Sequence, residues 1–299
     1  MKITNEYGLP DAYFEAAKQF VGGKPQVGRI RCTSLIGPPQ IRMLQMEHYE
    51  EITEDCSDRL WAIFGQLGHV VMEGHSPPES LSEERLSITI DGVEVTGQAD
   101  LYEDNGKPDG RGITDYKFTS AWAVMQGPKD EWTRQLNIYA TLYEHAGFTS
   151  DWLKIIAFLR DWSQTRAYQS ETYPQQPIRV ILVPLWSKEE RIEYIKGRIR
   201  LHQLAESGDC PPCTDEERWA TPRKFAVMKG KNKKATRLLE SAEEAEVYCE
   251  DLVTNSVGKL RAKDLRIEER PREYKRCGAY CNVNQWCPQW QEEQEAKNG

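Results

Sequence analysis

Between Leu86 and Tyr102 apolar and polar residues alternate around Asp91-Gly92, and no other stretch of the chain limits its fold as much. Alternation of this kind belongs to strands with one buried face. Asp-Gly is the two-residue turn that ties two such strands into a hairpin, so an antiparallel pair is expected here. Upstream, Leu60, Phe64, Leu67 and Val71 recur at helical spacing from Ser57, read as the N-cap. His69 and Glu73 fall on the opposite face of that helix. Downstream, a loop from Asn105 to Gly112 leads to a short strand, Ile113 to Phe118. A helix from about Glu131 to His145 follows, closed by Gly147. Strands at Trp152 to Leu159 and Ile178 to Trp186 precede a charged helix from Lys188 to about Glu206. Helix, hairpin, strand, helix, strand is the order of an α/β domain with a mixed central β-sheet flanked by helices, and not of a bundle or sandwich.

The 299 residues suit one large domain or a core with an appendage. Three regions are expected: an N-terminal helical leader over 1–56, the α/β core over 57–208, and a third region over 209–299. The last combines Cys210-Pro-Pro-Cys213, a strand pair at Phe225 to Lys229 and Ala235 to Leu239, a helix from Ala242 to Leu252, and a cysteine-bearing tail. It reads as a small basic ββα insert followed by a metal-cluster region. Apolar stretches such as Val180 to Trp186 fall short of the roughly 18 residues a membrane helix needs. Asp11, Glu15 and Lys18 interrupt any leader-like run near the start, so a cytoplasmic protein without membrane contact is expected. The net charge of -8 creates no global positive field. Basic residues nevertheless concentrate from Lys259 to Arg276 and from Arg223 to Arg237; in the latter, either a phosphate-tracking hairpin or an ordinary solvated turn is expected.

Chemistry is first suggested by Asp100, near the end of the second hairpin strand, and Asp115-Tyr116-Lys117 on the next strand. Alternation puts Asp115 and Lys117 on one face. Converging carboxylates suit a hard cation such as Mg²⁺, and a neighbouring lysine can serve the attacking water. Gln135 and Tyr139, one helical turn apart, share a face. The ordered set His69, Gly97-Gln98-Ala99-Asp100, Asp115-Tyr116-Lys117 and Gln135-Leu136-Asn137-Ile138-Tyr139 resembles the RecB-type branch of the PD-(D/E)XK nuclease superfamily. That branch includes the CRISPR-associated RecB-like nucleases and the AddB helicase-nuclease subunit, and the likeness runs from about Ser34 to Phe158. It implies a restriction-endonuclease-like core in which His69, Asp100, Asp115 and the Tyr116 carbonyl hold Mg²⁺ or Mn²⁺. Lys117 would serve the water, and Gln135 and Tyr139 would position the substrate strand or support Lys117. The implied activity is a DNA nuclease, most readily an exonuclease on duplex ends or single strands in recombination, repair or phage DNA metabolism, working beside a helicase or recombination protein. The competing class is a nucleic-acid-binding accessory protein that does not cleave; the intact Asp100, Asp115 and Lys117 speak against it.

The eight cysteines favour metal ligation in a reducing compartment over a disulfide framework. Cys277, Cys281 and Cys287 give three thiols in a compact tail, and a fourth ligand must come from elsewhere. The same resemblance implies a [4Fe-4S] cluster, with Zn²⁺ as the competitor. Cys32 is offset from the position the family uses. Of the Cys210 and Cys213 pair, Cys213 is the expected fourth ligand, while Cys56 and Cys249 read as buried small hydrophobes.

Overall fold

The computed structural model describes every residue except 78, 108, 126, 257 and 299; Pro108, inside the loop expected from Asn105 to Gly112, is thus outside the described residues. The chain divides into two compact units, Met1–Pro212 and Cys213–Gly299. The first carries strand β1 (Arg29–Arg31), helix α1 (Leu60–Glu73), and strands β2 (Leu81–Ser82), β3 (Arg85–Ile90), β4 (Val93–Gln98), β5 (Leu101–Asp104) and β6 (Arg111–Thr119). Helix α2 (Asp130–His145), strands β7 (Trp152–Leu159) and β8 (Ile178–Val183), and helix α3 (Lys188–Glu206) follow.

The central sheet has the order β8-β7-β6-β5-β2. Strands β6 and β7 are parallel and the other pairs antiparallel, so the sheet is mixed and the fold is α/β, as the sequence order suggests. The parallel pair needs a crossover, and α2 provides it. A second sheet, β1-β4-β3, holds the hairpin. Its turn residues Asp91 and Gly92 both take left-handed backbone angles, φ 47° and 77°, which this turn type requires. Packing against the sheets buries α2 along Leu136, Ile138, Ala140, Leu142 and Tyr143. Ile30, Cys32 and Leu35 join the same core, and Arg198 and His202 of α3 both reach the Leu35 carbonyl, at 2.9 and 3.2 Å. Ile30, Cys32 and Leu35, within the expected leader over 1–56, are therefore part of this unit's core.

Helix α1 departs from expectation twice. Its N-terminus is organised by Asp55, whose carboxylate accepts the Ser57 N–H at 3.0 Å and starts a 3-10 turn, Cys56–Arg59, that runs into α1; Ser57 is not the cap. Its apolar stripe also faces outward: Leu60, Trp61, Phe64, Leu67, Val70 and Val71 are 45–59% exposed. One edge of the stripe approaches β6 at Gly68, a turn from Phe64, whose ring meets Phe118 edge-on with centroids 6.3 Å apart; a Cβ at Gly68 would stand 1.9 Å from Phe118 Cζ. Only a residue without a side chain permits that approach, and it carries the adjacent His69 toward the sheet.

In the second unit, β9 (Lys224–Lys229) pairs with β10 (Arg237–Leu239), and helix α4 (Ala242–Asn255) packs on them around Phe225, Val227 and Ala245. A third strand, β11 (Leu265–Arg270), pairs antiparallel along the other edge of β9. Its sequence alternates only over Leu265-Arg266-Ile267-Glu268 before Glu269 and Arg270 end the pattern, too short a run to announce a strand.

Candidate active site

Strand β6 presents its Asp115 and Lys117 side chains to α2. Lys117 Nζ lies 2.6 Å from Asp115 Oδ2 and donates to Gln135 Oε1 at 3.2 Å. The Gln135 amide nitrogen donates to the Tyr139 hydroxyl at 2.8 Å and, more weakly, to Asp115 Oδ1 at 3.4 Å. Tyr139 fits because β4 carries Gly97 beneath its ring: a Cβ there would come within 2.8 Å of Cε1. Asp115 is 1% exposed. Burial raises its carboxyl above the ordinary range, partly offset by the Lys117 charge, while Asp100 adds to the rise. For Lys117, burial pulls the other way, and the Asp115 charge and hydrogen bond outweigh it, so the ammonium is held charged. Despite the ion pair, Asp115 Oδ2 is buried with no aligned hydrogen-bond partner among the described residues.

Asp100 occupies the junction just past the end of β4, where the chain leaves β4 for β5 and so passes from one sheet to the other. The β5–β6 ladder begins at Leu101 and Thr114. One step beyond it, Asp100 Oδ2 accepts the Tyr116 N–H at 2.6 Å, replacing the main-chain partner that β6 lacks there. The other oxygen, Oδ1, lies 3.2 Å from His69 Nδ1, and the Tyr116 ring stands edge-on to the imidazole with centroids 6.3 Å apart. Glu83 completes this group, with Oε1 3.3 Å from the same His69 nitrogen. Its second oxygen takes the Gln98 amide, and Gln98 in turn accepts from Arg85 Nη2 at 2.6 Å. The backbone of Glu83 is left-handed, φ 53°, a conformation that costs a side-chain-bearing residue about 1 kcal/mol or more and persists where its surroundings impose it. The ligand atoms of His69, Glu83 and Asp100 all lie within 4.8 Å of one another. Hydrogen bonds to Asp100 and Glu83 push His69 up to about 10, against the effect of burial.

The expected site residues thus fall into two groups. His69 and Asp100 converge on one side; Asp115, Lys117, Gln135 and Tyr139 form a connected set on the other, and Tyr116 joins the two through its N–H. Glu73 is exposed and takes no part. Glu83 stands where a supporting acid is wanted, and sequence reasoning missed it: a single left-handed residue between short strands leaves no periodic trace. In the second unit, the Cys213 thiol is pushed up to about 12 by burial, with Glu217, Cys287, Cys277 and Cys281 adding to the rise. Burial likewise raises Cys281 and Cys287, and both feel Cys277. Gln289 ties Cys213 to the tail by two main-chain hydrogen bonds of 3.0 Å. Cys32 is buried in the first unit and directs its thiol at the Gln135 carbonyl, 3.7 Å away.

A mixed sheet flanked by helices, with a His/Glu/Asp group beside an Asp-X-Lys strand, defines a nuclease-like fold with a candidate divalent-metal site. The family model of the PD-(D/E)XK nuclease superfamily matches residues 39–288, and the chain belongs to that superfamily. No curated protein matches the sequence. Among solved structures it is similar to SSO0001, at 18% identity and a TM-score of 0.44 over 63% of this chain and 84% of that one. It is also similar to an alkaline exonuclease from Laribacter hongkongensis, at 11% identity and a TM-score of 0.35 over 67% of this chain and 94% of that one. Superpositions at these scores carry no functional weight, and membership rests on the family model. No helix among the described residues is long and apolar enough to cross a membrane.

Proposed function

We propose that the protein is a metal-dependent deoxyribonuclease of the RecB-like branch, acting as an exonuclease on DNA ends or single strands in recombination, repair or phage DNA metabolism. One observation carries this reading. Asp100 faces His69 with one oxygen and the backbone beside Asp115 with the other, so a histidine–carboxylate group and a lysine-bearing set flank one strand. The donor set suits Mg²⁺ or Mn²⁺: clustered carboxylates with one imidazole, and a buried Asp115 oxygen lacking an aligned partner. His69, Asp100, Asp115 and the Tyr116 carbonyl would hold the ion, with Glu83 alongside. When bound, it would neutralise charge on the scissile phosphate and acidify water.

The chain's own residues prepare the rest. Asp115 holds the Lys117 ammonium charged at the strand edge, where it can donate to a phosphate oxygen or hold a proton for the attacking water. The Tyr139 hydroxyl takes the Gln135 NH₂, which leaves Gln135 Oε1 to accept from Lys117. Gln135 and Tyr139 therefore act on the reaction by positioning Lys117. In the second unit, the reading places a [4Fe-4S] cluster, or Zn²⁺ in its stead, on Cys213, Cys277, Cys281 and Cys287 as a staple for the tail. Support comes from the Gln289 bridge between Cys213 and the tail; among the described residues the four thiols do not meet within the 4.8 Å that joins His69, Glu83 and Asp100. Iron and zinc content of anaerobically prepared Cys213→Ser and Cys32→Ser variants tests it, with loss expected in the first alone.

The direct test of activity incubates end-labelled linear and circular DNA, single- and double-stranded, with Mn²⁺ or EDTA. Cleavage of linear DNA that EDTA abolishes is expected, with circles spared. Cleavage that is indifferent to EDTA would overturn the reading.

A further inference from the structure

The second unit distributes its basic side chains unevenly. Toward one end of its sheet they are matched with carboxylates: Arg223 with Glu269 at 3.0 Å, Arg270 with Glu268 at 2.9 Å, and Lys224 with Glu240. At the opposite end, two stretches far apart in sequence lie side by side. The turn after β9 donates its Gly230 N–H to the Asp264 carbonyl at 2.7 Å, and Lys229 sits opposite Leu265 in the strand register. Arg266 reaches back across this junction to the Gly230 and Asn232 carbonyls, the latter at 3.2 Å. The turn contributes Lys229, Lys231, Lys233 and Lys234; the neighbouring segment contributes Lys259 and Lys263. All six are exposed, and none forms an ion pair among the described residues. The nearby acid Asp264 is already engaged by Arg261 at 3.5 Å.

In a chain of net charge -8, six exposed ammonium groups without ion-pair partners among the described residues, gathered at one end of a small sheet, make a local positive patch that favours a polyanion. We infer that this lysine end binds the phosphodiester backbone of nucleic acid, without base readout, as a holding site built by the second unit's own residues. The sheet fixes the two lysine-bearing segments against each other, so their spacing is set before binding. Flexible ammonium groups match a run of phosphates as point charges, and no planar fork for base edges is supplied. The choice of nucleic acid as the polyanion rests on the nuclease reading; the existence of the polyanion site does not.

The test measures equilibrium binding of fluorescent single- and double-stranded oligonucleotides to the full chain in EDTA, across a salt series. One variant carries Lys231→Gln, Lys233→Gln, Lys234→Gln and Lys263→Gln. A control of equal charge change carries Arg223→Gln, Lys224→Gln and Arg270→Gln from the paired set, with Arg272→Gln, whose guanidinium pairs with Asp215 at 2.5 Å. Neutralising the lysine end should weaken binding at least about 10-fold near 100 mM salt and lower the log–log salt slope by about 3. The control should leave the slope within about 1 of wild type. Equal effects in both variants would mean that net charge alone acts, and would overturn the proposal. So would an unchanged slope in the lysine variant, or lysine-dependent binding to phosphatidylserine vesicles without binding to DNA. Cleavage by each variant at saturating substrate with Mn²⁺ separates the two readings: absent cleavage in every protein with binding intact would remove the nuclease reading and leave the lysine site standing.

Discussion

Helices α1 and α2 both lend side chains to the candidate site, and both read from sequence as amphipathic, yet they are held in opposite ways. Helix α2 is enclosed from Trp132 to Tyr143, and the residues it offers the site, Gln135 and Tyr139, are themselves buried. Helix α1 has no buried residue; its apolar stripe faces out, while His69 is fixed by Asp100, Glu83 and the close approach at Gly68. Six half-exposed large apolar side chains on one helix face exceed the scattered exposure normal for a protein surface. A periodic stripe shows that a helix has two faces. It does not show how much of the apolar face the sheet covers: α1 meets β6 at Gly68 and Phe64, both against Phe118, with His69 held by carboxylates, and the stripe is left half-exposed. On the α2 side, stability and site geometry should therefore be coupled; on the α1 side they should come apart.

The largest effect sharpens that contrast. Leu136→Ala in α2, at a position with no exposure, should cost about 2–5 kcal/mol in urea unfolding. Gly68→Val comes next: overpacking against Phe118 should cost about 1–3 kcal/mol, and by lifting His69 from Asp100 it should lower cleavage at least about 10-fold. A Gly68→Val protein with wild-type activity would show that α1 need not touch β6. A smaller effect concerns protonation in metal-free protein. His69 lies near 10 in the folded chain because of its hydrogen bonds to Asp100 and Glu83, above its unfolded value of about 6.5. Its contribution is thus full below about pH 6.5 and is lost as pH rises through 10. The difference in unfolding free energy between wild type and His69→Gln, measured in EDTA, should shrink over that window; growth would contradict the contacts. Smallest of all, Leu67→Ala on the open stripe should change stability by no more than about 0.5 kcal/mol. A cost above about 2 kcal/mol would mean the stripe is covered.

Where one interaction dominated locally, the sequence was legible. Strand Trp152–Leu159 was legible as a short apolar run and helix Lys188–Glu206 as a charged helical segment, and the hairpin follows from Asp91-Gly92. Alternation placed Asp115 and Lys117 together, and helical spacing placed Gln135 beside Tyr139. Features set by tertiary competition stayed hidden. Asp55 displaced Ser57 as the organiser of a helix start, Glu83 entered the site through a strained backbone, and a strand as charged as Leu265–Arg270 formed because β9 offered it an edge. Asp100 was expected near the end of the second hairpin strand and lies just past it, but its role at the crossing between two sheets stayed hidden because it depends on both sheets.

The joining of the two halves at Asp100 is tested most directly by Asp100→Asn. An amide keeps the shape but loses the charge that would hold a cation and draw His69. Mn²⁺ affinity by titration calorimetry, with cleavage of end-labelled DNA and the unfolding temperature recorded on the same preparation, should show loss of metal binding and a fall in cleavage of about 1000-fold or more, with the fold intact. Mn²⁺ affinity and cleavage within a few-fold of wild type would mean that the His69–Glu83 group and the Asp115–Lys117 set are not one centre.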